Sequence, residues 1–87
     1  MTLKDMVIRV AFFEKIFDEL SAAIQAEGSV PDELQDKVLL LEQYYTSGQW
    51  RADYEADEAG LFPADLKRGV LSQDGVYDLL EQFRNGE

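Results

Sequence analysis

The sequence predicts an all-α fold, a small bundle of three main helices with one short helix and a proline-containing turn, built as a single domain over residues 1–87. Three observations carry this reading. Apolar residues from Leu3 to Ile24 recur at unbroken spacings of three and four, which fits an amphipathic helix and excludes a strand there. Gly28, Gly48 and Gly60 each follow a helix-competent stretch in the position of a stop. A last stripe of Val76, Leu79, Leu80 and Phe83 stands behind Ser72, a good N-cap. With 87 residues the chain has room for one modest core, burying roughly 60–65% of its unfolded surface.

The first helix is marked by Thr2 with Asp5 three residues on, in the form of a capping box with Asp for the usual Glu, and by Gly28 after Glu27. It should run about 24 residues, roughly 36 Å. Leu3, Met6, Val10, Phe13, Phe17, Leu20 and Ile24 form its main seam, which makes Phe13 and Phe17 expected core residues. Ile8, Phe12, Ile16 and Ala23 widen the stripe beyond what one neighbouring helix covers, so two further helices of this chain or a second copy must pack there.

Ser29, Val30, Pro31 and Asp32 restart a helix, with Ser29 as cap candidate, Pro31 in the first turn, and Asp32 and Glu33 at the positive end of the dipole. Leu34, Val38, Leu41, Tyr44 and Tyr45 are its inward residues, and the short turn makes it antiparallel to the first helix. Ser47-Gly48 ends it. Gln49 to Ala59 contains no Gly, Pro or β-branched residue and reads as the short third helix, with Gly60 as its stop. Its alanines, Ala52, Ala56 and Ala59, lie on one face, and Trp50, Asp53, Tyr54 and Asp57 on another. Pro63 then opens a single turn over Ala64–Lys67 that Gly69 closes, Ser72 caps a last helix to about Arg84, and the tail from Asn85 is expected to fray.

Composition bounds the chemistry. The chain has no cysteine and no histidine, which removes disulfides, thiolate chemistry, the usual general base and the commonest transition-metal ligands. Ser72 accordingly reads as a cap and not a nucleophile, and the reading assigns no catalytic residue and no cofactor. Acids outnumber bases 18 to 8, for a net charge of −10, which repels phosphate backbones and disfavours direct nucleic-acid binding. No run approaches a membrane-spanning length and the N-terminus lacks a signal-peptide pattern, so a cytoplasmic protein with no membrane contact is expected.

The stretch from Tyr44 to Asp74 is the most individually specified part of the chain. Its residues Tyr44, Tyr45, Ser47, Trp50, Asp53, Glu55 to Gly60, Pro63, Asp65 to Ser72, Asp74 and Tyr77 to Leu80 form a pattern that resembles a family of small bacterial proteins grouped as domain of unknown function 4298. The first half matches that family only as an amphipathic helical lead-in of similar length. The resemblance implies an all-helical bacterial intracellular protein and assigns no activity, ligand or catalytic residue.

Within this stretch Asp53, Glu55 and Asp57 fill the first, third and fifth positions of a calcium-loop pattern, but the glycine and bidentate glutamate such a loop needs are replaced by Glu58 and Ala64. On a helix Asp53 and Asp57 share a face, so Asp53, Asp57 and Glu58, with Tyr54, remain candidates for a divalent-cation or small-ligand site; solvated surface is the plainer explanation. Four carboxylates within six residues repel one another. Lys67 and Arg68, the only adjacent bases, are placed to fold back on them, an Arg68 pair with Asp57 or Glu58 being favoured by bidentate geometry. Trp50 reads as a core anchor, Tyr54 as half exposed.

The function expected from these residues is a non-enzymatic protein-interaction or small regulatory module whose contact surface comprises Trp50, Asp53, Tyr54, Asp57, Glu58, Lys67 and Arg68. The partner is a protein of unspecified identity, and self-association through the broad face of the first helix is a second expectation. The alternatives are the ligand or cation site and an acidic mimic of nucleic acid.

Overall fold

In the computed structural model, which describes residues 2–85, α1 (Leu3–Glu27) is the element on which the others are laid. Its 25 residues give about 37 Å at the standard rise, and the molecule's longest extent is 37 Å. Both expected end signals operate. Thr2 Oγ1 accepts from the Asp5 amide at 3.2 Å and Asp5 Oδ2 from the Thr2 amide at 3.4 Å, while Gly28 at φ 76° donates back to Ile24 O.

A 3₁₀ turn at Asp32–Leu34 leads into α2 (Gln35–Thr46). The second helix therefore starts later than the Ser29 to Pro31 signals suggest. Pro31 stays extended at ψ 155°, the turn has no side-chain cap, and the 3₁₀ turn absorbs Asp32 and Glu33 before α-helical bonding begins. Buried Val30 anchors the entry. Lys37 reaches Glu19 at 2.5 Å and Phe13 stacks on Tyr44 at 4.0 Å, so ascending residues of α2 meet descending residues of α1 and the two are antiparallel.

Ser47 serves two helices, closing α2 and capping α3 (Gly48–Glu58) through its hydroxyl to the Gln49 amide. With 11 residues against 12 in α2, α3 is nearly as long as its neighbour. It ends in a Schellman arrangement: Gly60 at φ 73° donates to Asp57 O at 2.9 Å and Leu61 to Ala56 O at 3.1 Å. Buried Phe62 then pins the connection. Pro63 opens a turn closed by Leu66 N to Pro63 O, and a separate 3₁₀ turn follows at Gly69–Leu71.

Ser72 caps α4 (Gln73–Asn85) by accepting from the Gly75 amide at 3.2 Å. Phe17 abuts Gly75, and Ile24 shares a cleft with Phe83, so α4 runs in the direction of α1. Of the tail expected to fray, Asn85 is the last residue of α4, and residues 86 and 87 lie outside the described residues.

The fold is all-α, with no strand among the described residues. Val10, Leu20, Leu41, Val70 and Val76 are fully enclosed, contributed by α1, α2, the second 3₁₀ turn and α4. Two expectations about α1 shift. Phe13 and Phe17 are partly buried at the edge of the core, and Ile16, assigned to the outer side of the stripe, is inside it. The reason is rotation: α1 turns so that Val10, Glu14, Ile16 and Leu20 face inward, leaving Leu3, Ile8 and Phe12 exposed.

Candidate functional site

α3 places Trp50, Asp53 and Ala56 on one line at spacings of three, and all three are buried. Asp53 was expected at the surface beside Tyr54 and Asp57. It is 0% exposed. The face inward is set by Trp50 and Ala56, and Asp53 lies between them, so the carboxylate enters the core with the apolar pair.

Its charge is met from two other helices. Arg9 of α1 donates Nε to Oδ2 at 2.8 Å and Nη2 to Oδ1 at 2.5 Å, a bidentate fork. Tyr44 of α2 donates its hydroxyl to Oδ2 at 2.6 Å. The Asp53 hydrogen bond raises Arg9 above its already high value. Burial first, and then the Asp53 hydrogen bond, push the Tyr44 hydroxyl far above its ordinary value. The cluster is built to stay ionised at Arg9 and neutral at Tyr44.

A second set of bonds fixes the turn Gly69–Leu71. Glu14, 8% exposed, accepts the Val70 amide through Oε1 at 2.7 Å. Trp50 donates Nε1 to Val70 O at 2.9 Å. Both polar atoms of one backbone residue are thereby held by side chains from α1 and α3. Trp50 is the core anchor its singularity suggested, flanked by Tyr45 at 4.9 Å and Tyr54 at 5.3 Å between ring centres.

The remaining sequence-chosen residues gather on the other side of α3. Arg68 pairs with Asp57 and also reaches Pro63 O at 3.4 Å, so the fold-back of the basic pair onto the acidic helix occurs through Arg68. Tyr54 is half-buried, and Glu58 and Lys67 are exposed. Tyr54, Asp57, Glu58 and Arg68 line a polar hollow of about 430 Å³ with Ser72 and Asp74. Trp50 and Asp53 do not join them. The three cation candidates are thus divided, Asp53 held by Arg9 and Tyr44 and Asp57 by Arg68, and no group of three carboxylates is poised for a metal among the described residues.

Arg9 and Glu14 were missed by the sequence reading. A signal existed for each: Arg9 sits beside Val10 and Glu14 beside Phe13 on the apolar side of α1, where a charge needs a buried partner. Removing the Asp53 carboxylate takes the shared buried acceptor from both Arg9 and Tyr44, so Asp53→Ala is expected to cost about 3–5 kcal/mol in a urea melt followed by Trp50 fluorescence. A loss under about 1 kcal/mol would show the pair to be dispensable.

Tyr44 predicts alkaline behaviour. Its folded value is raised, so its contribution is complete below about pH 10, where an unfolded tyrosine titrates, and is lost as pH rises beyond it because the unfolded chain releases a proton that the fold retains. Stability should fall more steeply above about pH 10 in the native chain than in Tyr44→Phe. Equal slopes in the two melts would contradict this.

A family model described as domain of unknown function (DUF4298) matches residues 3–86. No curated protein and no solved structure matches the chain. The family match takes in α1 with its Arg9 and Glu14 as well as the acidic helix and its turn, nearly the full length of the fold, and the chain therefore belongs to the DUF4298 family.

Proposed function

We propose that this chain is a small non-enzymatic interaction or regulatory module of the cytoplasm, which presents the outer side of the Trp50 to Arg68 segment to a protein partner. One observation carries the reading: three polar side chains of this segment, Trp50, Asp53 and Asp57, are engaged within the fold. Asp53 holds Arg9 and Tyr44, the Trp50 indole holds Val70 O, and Asp57 holds Arg68. What the segment offers outward is the polar hollow lined by Tyr54 and Glu58, and Lys67 exposed at the groove beside α1. In this reading α1, α2 and α4, which touch one another pairwise, are the bundle that carries α3. A cation or small-ligand site would have to work with Asp57 shared with Arg68 and with Glu58 alone.

The test is affinity capture from the native host with a tagged chain, compared across variants. A partner should be retained by the native chain and by Glu33→Lys, and lost from the double variant Glu58→Lys, Lys67→Glu. Retention by the double variant would exclude this surface.

Self-association is a second reading, favoured by Ile8 and Phe12, which are 58% and 54% exposed on adjacent turns of α1. Ile16, once counted with them, is in the core and cannot take part. Light scattering should show a dimer at millimolar protein once salt screens the net charge of −10; a steady 9.9 kDa monomer would overturn it.

A further inference from the structure

A groove of about 550 Å³ runs along α1 beside the Pro63–Lys67 segment. Its apolar part is Val7, Ala11, Pro63 and Leu66. Its charged part is unbalanced: Glu14, Asp18, Glu19 and Asp65 face it against Lys15 and Lys67. Glu19 is answered by Lys37 from α2. Glu14, Asp18 and Asp65, and likewise Lys15 and Lys67, have no ion-pair partner among the described residues, which leaves the acids in excess.

Glu14 is the informative member. It is 8% exposed, yet only Oε1 is engaged, by the Val70 amide at 2.7 Å. Oε2 has no protein donor among the described residues, and because no buried side-chain oxygen among them lacks a partner, it is open to solvent. A largely enclosed acid that keeps one oxygen open to solvent, at the wall of an apolar groove, is complementary to a cation carried on an aliphatic stem. The stem would lie on Val7, Ala11 and Leu66, and the head would reach Glu14, with Asp18 and Asp65 at the rim.

We infer that this groove is the docking site for a basic, amphipathic segment of a partner protein, with one lysine or arginine side chain seated against Glu14. The inference rests on the interaction-module reading and names the partner's chemistry. A second copy of this chain is the poorer occupant unless salt screens it, because each copy carries a net charge of −10. A nucleic acid is excluded by the same sign.

The probe is an amphipathic helical peptide of leucine and lysine, with a leucine-glutamate peptide as control. Binding is read by fluorescence anisotropy at physiological salt and mapped by amide chemical shifts. The basic peptide should bind, the acidic one should not, and shifts should concentrate at residues 7–19 and 63–67. Glu14→Gln keeps an oxygen for the Val70 amide and so keeps the fold, which the Trp50 emission verifies. It should weaken binding at least about tenfold. Glu33→Gln, which removes the same charge from the exposed turn before α2, should weaken it less than about twofold. Ala11→Arg, at an exposed position, should block the groove with a cation of its own and abolish binding. Equal weakening by Glu14→Gln and Glu33→Gln would reduce the effect to diffuse attraction and overturn the site, as would failure of the basic peptide to bind. Shifts mapped instead to Tyr54, Glu58 and Ser72 would overturn the groove while leaving the interaction module intact.

Discussion

The fold depends on a carboxylate that must not be left alone. Moving an ion such as that of Asp53 out of water costs several kcal/mol, and only close, well-directed partners offset this. Arg9 supplies two N–H donors and Tyr44 one O–H. Those partners belong to α1 and α2, so the need to satisfy one side chain of α3 fixes three helices relative to one another. An apolar residue at position 53 could fill the space, but it would tolerate many rotations of α3. The fork of Arg9 accepts one. Phe13 stacked flat on Tyr44 holds the phenol where its hydroxyl can reach the same oxygen.

The second constraint follows from the first. Once α3 is set, Trp50 lies one turn before Asp53 and its indole N–H points to Val70 O, while Glu14, one turn and a half after Arg9 on α1, takes the Val70 amide. A three-residue 3₁₀ turn has little stability of its own, since short helices gain few bonds for the entropy they lose. Here it is clamped through both polar atoms of one residue, and Val70 itself is fully enclosed. The turn then delivers Ser72 as a cap at the right place to start α4. Arg68, immediately before the turn, holds Asp57 and relieves part of the repulsion among the carboxylates of α3.

What the sequence made legible was the part governed by local chemistry. Thr2 with Asp5, Gly28, Ser47, Gly60 and Ser72 act within a few residues of themselves, and each does what its neighbours imply. The face of a helix is different. Hydropathy sends every acid outward, so Asp53 was read with Asp57, and Glu14 was not read at all. The facts that reverse this lie 44 and 56 residues away in the chain, at Arg9 and Val70. A buried ion pair is invisible to a pattern of apolar spacings unless both halves are seen as anomalies at once, a basic residue on the inward side of α1 and an acid between Trp50 and Ala56. The late start of α2 has a similar origin: Pro31 remains extended, a conformation that its local caps do not dictate.

The same division of labour bears on function. Acids used inside the fold, Asp53 and Glu14, are held by donors the fold provides, but the chain has too few bases to answer the rest, and its net charge is −10. Such a surplus opposes compactness and gives nothing to the core, and in the proposed function it draws a basic surface into encounter. Charge alone does not choose among basic surfaces. Selection needs short-range contacts that a wrong partner cannot make, and the proposed docking groove sets apolar side chains beside the Glu14 carboxylate. Glu14 is then the residue at which architecture and the proposed docking meet: its Oε1 accepts the Val70 amide and holds the turn before α4, and the same residue lines the groove.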